Sequence, residues 1–249
     1  MRAHPTSVSV GDLRLDVAGD SVVGHRYPAN FDVLHVDPDL PLAVVADGMG
    51  AGEGSRRAGA TAVQALVAGV RAAWPRVDAR RLRAAVAEVQ SAVRAAGADL
   101  AELTGCTLTP LLVEPDGGQG WLVQLGDSRA YRLRDGLLEL LTVDHTAAWL
   151  GVVHGWYAAD SPAAARARYQ LTRYAGHPGE PEADLLAVTL RPGDTWLLCT
   201  DGLSDQLDYH RIRELLTAAQ PDEVTRDLLD ATLTAGGADN ATAVLIRVR

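Results

Sequence analysis

The spacing of apolar residues along the chain changes period several times, and each period predicts a different element. Val8, Val10, Leu13, Leu15 and Val17 alternate with polar neighbours, the two-residue rhythm of half-buried strands, so the first forty or so residues read as an antiparallel strand region. A short apolar run at 42–46 predicts a tight strand. The period then lengthens. Across 53–73, Ala58, Ala62, Ala65, Leu66, Gly69 and Val70 fall on one stripe, and beyond a plausible cap at Asp78 the residues Leu82, Val86, Val89, Val93, Ala96, Leu100 and Leu103 recur at spacings of four and three. These predict two helices, the second with one apolar seam of about six turns. Small residues on the first and branched ones on the second suit a close antiparallel pair.

Strand patterns return at 107–113, 120–125, 129–133 and 137–141, separated by turn formers such as Pro115-Asp116-Gly117-Gly118, and read as a meander of hairpins. The periodicity weakens over 144–179, where Gly, His, Trp and Pro intersperse, which predicts a partly helical surface flap. Strands at 185–190 and 195–199 bracket the turn Arg191-Pro192-Gly193-Asp194. Helices at 208–218 and 221–233 then precede a last strand at 241–248. Blocks of strands alternating with paired helices indicate α+β layers, not the regular rhythm of a parallel sheet.

Composition narrows this picture. The chain has 249 residues with no break in apolar content, which fits one domain. No apolar run approaches the roughly 20 residues of a membrane span, and residues 1–10 lack a signal-peptide layout. The two cysteines, Cys106 and Cys199, each lie in an apolar stretch, so a disulfide framework and a thiolate metal site are not expected, and a soluble, cytoplasmic protein is. A net charge of −9 argues against a nucleic-acid partner. Every one of the 23 basic residues is arginine, which removes P-loop, protein-kinase and Schiff-base mechanisms that need a lysine amine.

The chemistry rests on where aspartate falls. Asp47 follows Leu-Ala-Val-Val-Ala, Asp127 lies in a corner between two strands, Asp201 follows Trp-Leu-Leu-Cys-Thr, and Asp239 precedes the final strand. Each has a glycine close by: Gly48, Gly126, Gly202 and Gly237. One such pair is an ordinary turn former. Four of them, in antiparallel sheets, can gather at one rim, and carboxylates so gathered repel unless a cation intervenes. Oxygen-only ligands select hard ions, Mg²⁺ or Mn²⁺, and a pair of these ions can activate water against a phosphate ester.

The segments Asn30-Phe31-Asp32-Val33, Val44-Val45-Ala46-Asp47-Gly48-Met49-Gly50, Gly105-Cys106-Thr107, Leu125-Gly126-Asp127-Ser128-Arg129-Ala130-Tyr131, Leu141-Thr142-Val143-Asp144-His145, Leu171-Thr172-Arg173, Pro192-Gly193-Asp194 through Cys199-Thr200-Asp201-Gly202-Leu203-Ser204-Asp205, and Gly237-Ala238-Asp239-Asn240-Ala241-Thr242 resemble, in order over nearly the whole chain, the metal-dependent serine/threonine protein phosphatases of type 2C. The resemblance implies a four-layer α-β-β-α sandwich, two antiparallel sheets flanked by antiparallel helix pairs, with two and at most three Mn²⁺ or Mg²⁺ ions at one end. It implies that Asp47 bridges two ions, that Gly48 offers its carbonyl, and that Asp201 and Asp239 complete the pair. Asp127 and Asp205 match a weaker third site, and Asp32 matches an acidic position that supports the metal's waters. The implied partner is a phosphorylated protein, the target of a serine/threonine kinase, chosen partly by the flap.

Three departures stand out. Phe31 occupies a place where relatives carry glutamate. The phosphate-binding arginine is replaced by Tyr27, leaving Arg26, one position away, as the candidate. After Gly50 the chain runs straight into Ala51-Gly52-Glu53, without the histidine that protonates the leaving oxygen in relatives. His25 and His145 are the nearby substitutes, and Glu53 and Ser55 are candidates to cap the helix that follows. These departures keep open a second function, a phosphoprotein-binding regulatory module with little catalysis. A dinucleotide-binding reading of Gly48-Met49-Gly50-Ala51-Gly52 is weaker, because Asp47 would face the pyrophosphate and no βαβ unit is expected.

Overall fold

The computed structural model describes residues 2–217 and 220–249. Strands β1 (Arg2–Val10) and β2 (Leu13–Val22) pair antiparallel in the expected strand region, and β3 (Val33–Val36) leads to β4 (Leu42–Ala46). Helices α1 (Glu53–Ala73) and α2 (Ala79–Ala96) follow, then β5 (Thr109–Val113), β6 (Gln119–Gln124), β7 (Arg129–Arg134) and β8 (Leu137–Leu140). Short helices α3 (Ala147–Val153) and α4 (Pro162–Ala167) occupy the flap. The chain ends with β9 (Asp184–Thr189), β10 (Thr195–Cys199), α5 (Asp201–Ser204), α6 (Tyr209–Leu216), α7 (Pro221–Thr234) and β11 (Ala241–Val248).

All strand pairs are antiparallel and they make two sheets, β1-β2-β11-β10-β7-β8 and β3-β4-β5-β6-β9. Burial on both faces explains the unbroken apolar runs of the central strands. On β4, Leu42, Val44 and Ala46 face the α1/α2 layer while Ala43 and Val45 face the other sheet. On β10, Trp196 and Leu198 point between the sheets, whereas Leu197 and Cys199 meet the layer of α6 and α7. The result is the α-β-β-α sandwich. At full burial of this apolar area, each large side chain contributes about 1.5–3 kcal/mol before chain entropy is charged against it. Both cysteines are buried and free, with burial pushing their thiols up to about 12.

The helix pair is close where its residues are small: a methyl group added at Gly69 would lie 2.8 Å from the Ala85 Cβ. Asp78 caps α2 by accepting from the Arg81 N–H. The six-turn seam, however, ends early. The helix stops at Ala96, Gly97 packs against Thr104 where a Cβ would sit 2.4 Å away, and Leu103 is 51 % exposed beyond it. A glycine inside the pattern and a turn back toward α1 override the spacing.

One hairpin of the expected meander is corrected, and the turn at 191–194 proves to join different sheets. The segment 126–128 carries the chain from β6 in one sheet to β7 in the other, and residues 191–194 do the same between β9 and β10. The last residue of the helix expected over 208–218 lies outside the described residues. Among those described, no helix is long and apolar enough to cross a membrane.

Candidate active site

These crossings bring four strand ends together. Cys199 of β10 stands opposite both Arg129 and Ala243, so Asp201, Asp127 and Asp239, each just beyond the paired residues, emerge on the same edge. The other sheet is tied to that edge by threonine. Thr107 N donates to the Asp47 carbonyl at 2.9 Å, the Asp47 N–H donates to Thr107 Oγ1 at 2.8 Å, and Thr107 Oγ1 lies 2.7 Å from Ser128 Oγ. Gly126, at φ +100°, makes the corner and leaves no room for a side chain against Thr107.

Asp47, Asp127, Asp201 and Asp239 consequently line one pocket of about 300 Å³ with Gly48, Met49 and Asn240. That volume is at the lower limit for ligand pockets and suits a phosphorylated side chain better than a dinucleotide. With every described strand pair antiparallel, the glycine loop after β4 belongs to no βαβ unit among the described residues, so the dinucleotide reading is set aside. Asp32 lies beneath the floor. Its Oδ2 accepts from Thr200 Oγ1 at 2.8 Å and Thr242 Oγ1 at 2.6 Å, while its buried Oδ1 has no partner. Asp201 Oδ1 is likewise buried and unpartnered.

The electrostatics follow from this crowding. Burial, reinforced by neighbouring carboxylates, raises Asp32 to about 7 and Asp201 to about 6 and holds Asp47 and Asp127 well above the ordinary aspartate value. Asp47 and Asp201 face each other within this buried group, and each carboxylate adds to the cost of ionising its neighbours. Asp205 and Asp239 are raised too, again mainly by burial. Fixed cations reach only part of the cluster: Arg168 pairs with Asp205, Arg129 grips Asp144 through two bonds of 2.9 and 2.6 Å, and exposed Arg26 acts on Asp239.

The donor set is all oxygen, and two buried carboxylate oxygens lack any donor, so hard dications fit. Among the described residues no three His, Cys, Asp or Glu side chains close around a single point. The pocket is therefore an open acidic basin, which suits ions that keep several waters and bind through one or two carboxylates.

The departures resolve into geometry. Phe31 is buried, its ring edge-on to Tyr27 at 6.4 Å and beneath the Arg56 guanidinium at 5.7 Å. Tyr27 lines the pocket, and the Arg26 guanidinium lies 5.9 Å from its ring at the rim. His25 turns away, its N–H bonded to the Gly237 carbonyl and its ring near the Leu233 carbonyl. His145 is enclosed: Nδ1 accepts the Gly126 N–H at 3.2 Å, which leaves the proton on Nε2 to donate to Asp184 at 3.0 Å. Burial lowers its pKa, so it stays neutral and committed. Neither histidine can serve as an acid at the pocket. Glu53 and Ser55 do not cap α1. Glu53 pairs with Arg56 and Arg57, Ser55 donates to the Met49 carbonyl, and Glu102 from across the gap accepts the Gly54 N–H at 2.7 Å.

Residues 30–235 match protein phosphatase 2C. The chain belongs to the protein phosphatase 2C family. The serine/threonine protein phosphatase PstP of Mycobacterium tuberculosis is 35% identical over 173 residues, 66% of this chain but 33% of PstP, so the match spans about a third of that relative's length. Two solved 2C-type structures superpose closely. The PPM Ser-Thr phosphatase MsPP from Mycobacterium smegmatis, in complex with cacodylate, has a TM-score of 0.82 at 33% identity, covering 97% of this chain and 99% of its own. The catalytic domain of PstP in complex with two manganese ions has a TM-score of 0.78 at 33% identity, covering 95% and 99%.

The threonines that anchor this 2C site, Thr107, Thr200 and Thr242, went unassigned in the sequence although each sits within a matching motif. Only Thr200 stands directly beside one of the aspartates, Asp201; Thr107 and Thr242 had no such signal. Tyr169, Leu171 and Leu103, which complete the rim, carry no such signal.

Proposed function

We propose that this chain is a metal-dependent phosphoprotein phosphatase that hydrolyses phosphoserine and phosphothreonine. The observation that carries the reading is the pocket of Asp47, Asp127, Asp201 and Asp239, with the orphaned Asp201 and Asp32 oxygens beside it. Asp47, Asp201, Asp239 and the Gly48 carbonyl are the groups that would hold a pair of Mn²⁺ or Mg²⁺ ions, with Asp127 and Asp205 flanking a weaker position. When bound, such ions lower the pKa of water and offset charge on the phosphoryl oxygens.

The chain's own residues do the rest. Asp32, its Oδ2 clamped by two threonines, presents Oδ1 as an acceptor that orients water toward the phosphorus. Asp47, at the end of β4, would hold the ions from the floor of the pocket. Arg26 at the rim contacts the phosphate, and Tyr27 with Met49 forms the wall beside it. No histidine stands ready for the leaving oxygen. An aryl oxide leaves without that help, whereas a serine alkoxide leaves slowly.

The similarity to proteins named as phosphatases favours turnover over the binding-module alternative. The substrate on this reading is a cytoplasmic phosphoprotein, the target of a serine/threonine kinase. Hydrolysis of p-nitrophenyl phosphate should require Mn²⁺ and vanish in Asp47→Asn and Asp201→Asn. Retention of activity in both folded variants refutes the assignment.

A further inference from the structure

Residues 144–179 leave and rejoin the sandwich at one place, where Ala147 N donates to the Gln170 carbonyl and Thr172 N to the His145 carbonyl, both at 2.8 Å. Between these closures the flap is small and open. Trp149 and Trp156 are exposed, and α3 and α4 have seven and six residues, too short to be stable without outside support.

One support reaches the pocket directly. Arg168, at the C-terminal cap of α4, pairs with Asp205 at the end of α5, the helix that begins with Asp201. Its guanidinium also lies 6.0 Å from the ring of Tyr169. Tyr169 and Leu171 come directly after it and line the pocket. The other nearby arginine, Arg129, already has two arms on Asp144. Arg168 thus does two things: it fixes the loop that walls the pocket, and it neutralises Asp205.

We propose that Arg168 is a latch that takes a cation's place on Asp205, so that a third divalent ion enters this side of the pocket only by displacing the arginine and freeing the flap. This rests on the metal-dependent reading above. A cationic guanidinium and a dication compete for the same carboxylate oxygens. The Arg168 side chain is 42% exposed, and half-exposed ion pairs are weak, so the latch opens at attainable ion concentrations. Ion supply would then set how firmly Tyr169 and Leu171 hold a phosphorylated segment, making Arg168 a positioning residue.

The test pairs Mn²⁺ calorimetry with amide hydrogen exchange over residues 160–172, using the full chain. The wild type should bind two ions tightly and a third weakly, with exchange over 160–172 accelerating only as the third ion binds. Arg168→Ala should tighten the third event about five- to tenfold and exchange fast even without metal, while Arg168→Lys should behave like the wild type. Equal third-ion affinity in wild type and Arg168→Ala, or equal exchange without metal, overturns the latch. Absence of the two tight ions from the wild type would instead count against the phosphatase reading, and the metal-free exchange arm separates the two failures.

Discussion

The acidic pocket has two halves that answer the same electrostatic problem in different ways. Around Asp205 and Asp144 the chain supplies its own cations: Arg168 meets Asp205, Arg129 holds Asp144, and both arginines pull the Asp205 carboxyl down against the burial that raises it. Around Asp32, Asp47 and Asp201 no arginine arrives, burial and mutual repulsion drive all three upward, and two oxygens go without a partner. A covalently attached cation holds its carboxylate until something displaces it. A half left uncompensated is open to a cation that can exchange, and that is where the proposed reading puts the catalytic ions.

The largest effect that separates the halves is catalytic. Asp47→Asn or Asp201→Asn should lower Mn²⁺-dependent turnover of p-nitrophenyl phosphate by about 10³-fold or more, the loss of several kcal/mol of charge stabilisation. Steady-state assays of folded protein check this, and a fall of less than tenfold in both would break the comparison. Next comes the leaving group. With His25 turned out and His145 locked, the aryl substrate should be turned over about 10²-fold faster than a phosphoserine peptide. Equal kcat values would reveal another acid.

On the compensated side the expected effect is structural. Arg129→Ala strips Asp144 of a bidentate partner in a largely buried setting and should cost about 2–3 kcal/mol in denaturant unfolding, somewhat below a fully buried pair. A change within about 0.5 kcal/mol would show that the arginine is not needed there.

The smallest effect is a pH dependence, and its sign follows from the raised carboxyls. Asp201 near 6 and Asp32 near 7 hold protons in the folded state that the unfolded chain, with aspartate near 3.8, has already released. The folded state therefore binds more protons over that window, and stability falls as pH rises through it. In chelator, the melting temperature should drop by about 5 °C from pH 5.5 to 8. Saturating Mn²⁺, which replaces those protons, should stabilise more at pH 8 than at pH 5.5, and the reverse order would contradict the account.

How much of this was legible beforehand differs between the halves too. The spans of β4, α1 and β11 follow from a continuous apolar run, a helical stripe and a strand after Asp239, because burial on one or both faces writes itself into local spacing. Local spacing says which face is buried but not which strand lies alongside. The passage from β6 to β7 therefore reads as a hairpin and that from β9 to β10 as a simple turn, although each changes sheet. Asp47, Asp127, Asp201 and Asp239 could be picked out because each stands at a strand end beside glycine. Thr200 and Thr242, which grip Asp32, and the pairing of Arg168 with Asp205 depend on residues far apart in the chain, and no periodicity announces them. The four-and-three seam of α2 misled for a related reason: Gly97 and its contact with Thr104 end the helix while the apolar spacing continues.

Crystals grown with Mn²⁺ and measured at the manganese absorption edge test the central claim most directly. Two anomalous peaks should lie among Asp47, Asp201 and Asp239, with none on Asp205 while Arg168 remains paired to it. Peaks confined to the Asp205 side, or no peak within reach of the Asp47 carboxylate, would contradict the account.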